Sequence, residues 1–444
     1  MKHWHDARIN IFKVLLNQTD QIDELFLTGA DCFILALEKH NQLQGAVGNT
    51  CRYVLELKGK LDAEAFKRKI NQDTIIKQLA ALSVAKIGLL SKPKWQLNQI
   101  KENEVTVHES DAFIPDAVLQ RQFIIDKPCL FSFDIVNRTN GNSCLILSWH
   151  HLLMDGYGAV LLLKKINGNE EITLSAEEPK IKFNFKNIQQ AAKAKFFIDK
   201  TSKKELSSIG STLEYISVNQ KIKVIQFTEE ETKQIESNAS VLGAKFGLSP
   251  FYLACSARGV KQILYERKKT VTNFWVPVPQ NTRKKGTLGP LLSNHISFLF
   301  YRIANAELSS LKECVGLLNN QMVNQMRNGL PKAYNKLQNF LKRVPSPLYY
   351  QLIKGPQGKS LASFLFTVAE EHPQELLEFE GLKVLSALSL PPNNFKPGLT
   401  FAFMRFNNCL QIMLLYFDEV ISEKEMTTLE KQLKYELITG QDLL

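Results

Sequence analysis

No two cysteines in this sequence have the Cys-x-x-Cys spacing of a redox or zinc site. The seven that occur (Cys32, Cys51, Cys129, Cys144, Cys255, Cys314, Cys409) are odd in number and widely scattered, and read as small buried hydrophobes. No apolar run approaches the roughly 20 residues of a bilayer-spanning helix. Val160 to Leu163 and Phe298 to Phe300 are soon interrupted by charge. The opening Met1-Lys-His-Trp-His-Asp6 reaches polar and acidic residues before any sustained apolar stretch, so no secretory signal is expected and a cytoplasmic location is. There is no short repeat and no low-complexity tract.

What is present is a 444-residue chain with 44% hydrophobic and 9% aromatic content, enough for two packed cores and too long for one ordinary domain. Two lobes are expected. The formal net charge of +11 points either to solubility or to an anionic partner. Such a partner could be nucleic acid, an anionic membrane surface contacted peripherally, or a phosphate-bearing carrier such as coenzyme A or an acyl carrier protein. The lysines are spread along the chain rather than massed in one arm, which argues against nucleic acid.

Hydrophobic patterning predicts an α/β (α+β) protein with mixed sheets. Asp6 to Leu16 and Leu25 to Leu37 have helical spacing. Cys51 to Gly59 alternates as a strand, and Asp62 is placed to cap a helix whose apolar face is Ala65, Phe66 and Ile70. Strand candidates Leu130 to Val136 and Cys144 to Trp149 flank the hairpin signal Asn140-Gly141-Asn142. An N-terminal lobe over 1–180, a polar crossover over 181–220 and a C-terminal lobe over 221–444 are expected. In the last, strands are predicted at Lys221 to Phe227, Val271 to Val278, Ile296 to Ile303, Phe364 to Val368, Leu399 to Phe406 and Leu410 to Phe417. Helices are predicted at Glu229 to Leu242, at Glu423 to Leu437, and from Ser249 as cap with Pro250 in the first turn.

The chemistry concentrates in His150-His151-Leu-Leu-Met-Asp155-Gly156, on a strand-to-helix loop. Successive residues leaving a strand point to opposite faces, so one histidine can face a cleft while the other supports it from the scaffold. Read this way, His151 is the general base and His150 the support. An imidazole near pKa 6.5 can take a proton from a hydroxyl, amine or thiol at neutral pH. Asp155, followed by Gly156, suits a tight loop in which the carboxylate turns back to order the site and meet a basic partner. The activated acceptor then attacks an acyl thioester directly, without the Gly-x-Ser-x-Gly elbow of a hydrolase. A zinc site sharing His151 and Asp155 is disfavoured, because Gly156 and Gly158 mark a loop and no third ligand at metal spacing is close by.

This stretch matches the His-His-x-x-x-Asp-Gly signature and resembles the condensation-domain-like, coenzyme-A-dependent acyltransferase superfamily. Other stretches look most like its wax ester synthase/diacylglycerol acyltransferase members: Leu27-Thr-Gly-Ala-Asp31, Val276-Pro277 to Arg283, and Ser293-Asn294-His-Ile-Ser297, with serine in place of the family's glycine. The Asp-Phe-Gly-Trp-Gly loop of condensation domains and plant acyltransferases is absent. The Asn-Val-Pro-Gly-Pro run of wax ester synthases is replaced near Phe364 to Glu371.

The resemblance implies two chloramphenicol-acetyltransferase-like lobes with a tunnel at their interface, an acyl-coenzyme A or acyl-carrier-protein thioester as donor, and an alcohol or amine as acceptor. No metal and no tightly bound cofactor are expected. His151 would be the base and Asp155 a structural residue paired with Arg283. Asn294 would either polarise the thioester carbonyl or cap a strand. Arg283 could also be a solvated member of the basic run Arg283-Lys284-Lys285, or that run could receive the phosphates of a carrier. An O-acyltransferase is the leading expectation. A condensation-type enzyme joining carrier-bound partners and a non-catalytic binding relative are the alternatives.

Overall fold

The computed structural model describes residues 25–43, 49–85, 93–99, 102–168, 171–175, 184–203, 205–210, 219–284, 286–353, 362–394 and 396–443. The helix expected at Asp6 to Leu16 lies outside them, as does Lys285.

The N-terminal half runs α1 (Gly29–Leu43), β1 (Thr50–Leu57), α2 (Ala63–Gln72), α3 (Thr74–Ala81), β2 (Leu82–Val84) and β3 (Trp95–Leu97). It continues with β4 (Val105–Glu109), α4 (Asp116–Leu119), β5 (Phe131–Asn137), β6 (Ser143–His150) and α5 (Gly156–Ile166). Asp62 caps α2 by accepting from the amide of Ala65, and Phe66 and Ile70 are buried as expected. Ala65 is exposed, because the side of the helix on which it lies turns to solvent. The β5–β6 hairpin turns through Gly141 at φ +82°, a left-handed conformation that glycine adopts without strain.

The second half runs α6 (Phe185–Ser202), β7 (Gln220–Gln226), α7 (Glu229–Val241), α8 (Ser249–Glu266), β8 (Asn273–Asn281) and β9 (Ile296–Ala304). Then come α9 (Leu311–Arg327), α10 (Leu330–Leu341), α11 (Ser346–Ile353), β10 (Leu365–Val368) and β11 (Glu378–Phe379). The chain ends with β12 (Leu382–Leu390), β13 (Leu399–Phe406), β14 (Cys409–Phe417) and α12 (Glu423–Thr439). In α8 the cap residue is Leu248, and Ser249 is already helical; Pro250 sits in the first turn, where no amide donor is needed.

One six-stranded sheet has the order β11-β12-β1-β6-β5-β4, and a four-stranded sheet the order β10-β13-β14-β7. β8 and β9 form a separate antiparallel ribbon. Two large apolar cores form, one around the six-stranded sheet and one around the four-stranded sheet and its helices. The chain is thus a mixed α/β protein of two lobes.

The boundaries are less simple than the linear division into 1–180, 181–220 and 221–444. β12 leaves the C-terminal segment and pairs antiparallel with β1, Arg52 opposite Leu390 and Leu55 opposite Ala387. That pairing closes one flank of the N-terminal sheet with residues more than three hundred positions away. Within 181–220 the chain forms α6, whose Ala191 and Ala194 pack into a small aromatic core with Trp275, Phe298, Phe300 and Tyr334.

Candidate functional site

β6 is buried along its whole length and ends at His150. The next five residues form the loop, and Asp155 then caps α5 by accepting from the amide of Gly158 at 2.9 Å. The loop is pinned at both ends. Its first amide, from His151, donates to the Asn49 carbonyl at 2.7 Å, and the Leu153 carbonyl accepts from Ser293 at 2.7 Å. Met154 and Ser293 form a parallel bridge that joins the N-terminal lobe to the segment leading into β9.

The two histidines take opposite directions, as strand geometry requires. His150 is fully buried. Its Nδ1 accepts from the Leu152 amide at 3.1 Å, so its proton sits on Nε2, which stands 3.2 Å from Glu38 Oε2. The same carboxylate oxygen accepts from the backbone and side-chain amides of Asn49. Glu38, on α1, thereby braces the residue that receives the His151 amide and stands beside the His150 ring, whose Nε2 has no well-aligned hydrogen-bond partner among the described residues.

His151 is only partly buried. Its Nδ1 lies 3.3 Å from the Met154 carbonyl, which also accepts from Trp149 Nε1 at 2.9 Å. A carbonyl can only accept, so Nδ1 carries the proton and Nε2 holds a lone pair. Among the described residues nothing bonds that nitrogen. Burial lowers the imidazole pKa below 6.5, against the opposing pull of Asp155 and the Met154 carbonyl, so the ring is neutral at pH 7.

Asp155 is buried and its second oxygen accepts from Arg283 Nη1 and, at 2.9 Å, from the His295 amide. Burial alone would raise its pKa. The Arg283 guanidinium and the amides of His295 and Gly158 outweigh that and hold the carboxyl below its ordinary value. The Arg283 side chain is 3% exposed, donates from Nη2 to the Pro290 carbonyl at 3.1 Å and lies over the Tyr157 ring at 5.3 Å. It is therefore neither a solvated surface residue nor free to receive phosphate, whereas its neighbour Lys284 is exposed.

Asn294 is buried, and its side-chain amide donates to Asp31 Oδ1 at 2.9 Å and to the His151 carbonyl at 2.7 Å. With both amide hydrogens engaged, it cannot polarise a thioester carbonyl from this position. Asp31 also accepts from the Asn294 and Thr28 amides, so its carboxylate joins α1 to the β9 approach, and Asn294 links both to the His151 loop. Gly156 is exposed and has no neighbour closer than Ser389 Oγ at 3.9 Å from where a Cβ would stand. The glycine that packing demands is Gly158, whose Cβ would fall 2.6 Å from the Leu291 carbonyl oxygen and 2.8 Å from Met154 Cβ.

The structure thus brings His150, His151, Asp155, Gly156, Arg283 and Asn294 to one seam between the lobes. Sequence reading gave no part to Glu38, Asn49 or His295, which carry no local signal. The imidazole of His295 has a buried Nε2 without a partner among the described residues, and burial lowers its pKa. Away from this seam, an open cleft of about 470 Å³ is lined by Lys69, Asn167, Glu375, Glu378, Glu380 and Gly381.

Comparison of the sequence with protein-family models and with curated proteins finds no match. Solved structures do match. The first condensation domain of the calcium-dependent antibiotic synthetase, in complex with a substrate analogue, superposes with a TM-score of 0.66 at 14% identity, covering 94% of this chain and 96% of that one. The starter condensation domain of rhizomide synthetase, as a mutant in complex with C8-CoA and Leu-SNAC, gives 0.62 at 13% identity over 94% of each chain. The epimerization domain from the third module of tyrocidine synthetase B gives 0.61 at 12% identity, covering 94% and 96%. The chain has the two-lobed fold of these domains over nearly its full length, although it lacks the Asp-Phe-Gly-Trp-Gly loop. None of these three is a wax ester synthase, the group that the sequence most resembles. No helix among the described residues is long and apolar enough to cross a membrane.

Proposed function

We propose that this protein is a condensation-type acyltransferase, joining an acyl group from a coenzyme A or carrier-bound thioester to an amine or hydroxyl, with His151 as general base. One observation carries the reading: the Met154 carbonyl fixes the His151 proton on Nδ1, leaving the Nε2 lone pair unengaged on a ring that burial keeps neutral. Nε2 would take the acceptor's proton as its nitrogen or oxygen attacks the thioester carbonyl. The tetrahedral intermediate then expels the thiolate, which recovers that proton from His151. Asp155 and Arg283 neutralise each other, so neither is available as a second base; their part is to hold the loop.

The amide-forming form of this reaction is preferred over transfer to a simple alcohol. A starter condensation domain of the same fold was solved with an acyl-coenzyme A and an aminoacyl thioester analogue together. For this chain, a passage between the lobes to His151 and a loosely held thioester, rather than a resident cofactor, belong to the same proposal.

The test is thiol release. Purified protein is incubated with a series of acyl-coenzyme A thioesters, each with aminoacyl-N-acetylcysteamine acceptors or with alcohols, and products are weighed by mass spectrometry. Amide products that vanish with His151→Ala, while the melting curve is unchanged, support the proposal. Ester products alone would restore the O-acyltransferase reading. Equal turnover with and without His151 would remove the base assignment, and no thiol release from any donor would remove the enzyme.

A further inference from the structure

The helix α6 buries Ala191 and Ala194 against the aromatic core, with Phe197 and Ile198 partly buried beside them. A second apolar stripe lies on a different side. At about 100° per residue, Phe185, Ile188, Ala192 and Phe196 fall within one arc of about 80°. Phe185 is 82% exposed, Phe196 69% and Ile188 50%. Lysines border the stripe: Lys186, Lys193 and Lys200 on one flank, Lys193 also donating to the Asn328 carbonyl at 3.1 Å, with Lys195 on the other flank and Lys203 just past its end. The helix has a single acid, Asp199, which pairs with Lys195 at 2.6 Å.

Two phenylalanines held in water on one helix face cost free energy unless something covers them. The core does not require them, since α6 already packs through its alanines. A stripe about 16 Å long on a convex helix offers no pocket for a shaped partner. It matches what an interfacial helix presents: aromatic residues that sink to the headgroup boundary and lysines whose stems reach up to anionic headgroups. The chain's net charge of +11 favours the same surface.

We infer that α6 docks this protein on an anionic lipid surface through Phe185, Ile188 and Phe196, with Lys186, Lys193 and Lys200 facing the headgroups. The inference is independent of the reaction proposed above, because α6 contributes none of the residues around His151.

Flotation of the full chain with vesicles tests it. Wild-type protein should float with vesicles of equal parts phosphatidylglycerol and phosphatidylcholine, float less with phosphatidylcholine alone, and be released as salt approaches about 0.5 M. The double variant Phe185→Ser/Phe196→Ser should bind the anionic vesicles at least about tenfold more weakly, as expected for removing two exposed aromatic anchors. Its circular dichroism and melting should be unchanged, since both side chains are exposed. The triple variant Lys186→Gln/Lys193→Gln/Lys200→Gln should lose the preference for phosphatidylglycerol. Wild-type protein that stays below the vesicles, or a double variant that floats as well as wild type, would overturn the inference. So would binding of an acyl carrier protein, without vesicle binding, that the same double substitution removes.

Discussion

The side-chain amide of Asn294 donates to the main-chain oxygen of His151 at 2.7 Å, so the loop that presents the imidazole hangs from a residue 143 positions along the chain. The second hydrogen of the same amide goes to Asp31. Replacing Asn294 with alanine leaves a buried carboxylate and a carbonyl each short of a donor. That should cost about 1–3 kcal/mol, read as a lowered urea midpoint with unchanged slope. A residue that polarised the substrate would instead lose turnover at full stability, so the two measurements together separate the roles.

Arg283 and Asp155 form a buried pair, and removing the cation leaves a charge that burial penalises. Arg283→Ala should destabilise by about 3–5 kcal/mol near neutral pH. The loss should shrink in acid. The folded carboxyl has a pKa below 3.8, so its ionised form stabilises the protein above that value and the contribution disappears as pH falls through the folded pKa. Arg283→Lys should recover only part of the loss, because an ammonium cannot serve Asp155 and the Pro290 carbonyl in one plane while lying over Tyr157. Denaturation followed from pH 7 down to about pH 2 checks both statements; a difference that stays constant through that acid range would remove the ion pair as its cause.

The depressed pKa of His151 sets a direction for activity. The base form is already present at pH 7, so kcat/KM should be flat above neutrality and fall on the acid side with a midpoint below 6.5. Stability should fall in the same window. His151, His295 and His372 are all held below 6.5 by burial, so the unfolded chain binds protons that the native one refuses. A midpoint above 7 in the rate profile would show that a different group titrates.

Much of this arrangement was legible in the sequence, for local reasons. A strand ending in two histidines of opposite direction, and an Asp155-Gly156 loop opening a helix, follow from spacing that the chain states within about ten residues, although the cap that Asp155 makes to the Gly158 amide does not. Arg283 and Asn294 were reached only through the resemblance, since nothing near them says what they face. In the fold their roles divide: Arg283 pairs with Asp155, while both amide hydrogens of Asn294 tie Asp31 to the His151 loop. What stayed hidden is non-local. Glu38 stands against His150 across 112 positions, and β12, absent from the strands expected from the sequence, is placed by its pairing with β1. α6 was missed because its buried face is made of alanines, which leave little apolar signal in a polar segment.

Ser293, a serine in the left-handed region of backbone space, gives the last prediction. Ser293 has φ +76°, a left-handed conformation that costs an L-residue about 1–2 kcal/mol. Its amide donates to the Leu153 carbonyl and its backbone bridges Met154, so the position cannot relax without releasing the His151 loop. Ser293→Gly should relieve the strain while giving back some of it as unfolded-chain entropy, a net gain of up to about 1 kcal/mol. Ser293→Val, β-branched and buried, should lose more than that. If the glycine variant melts below wild type, the serine hydroxyl must hold a partner that outweighs the backbone strain.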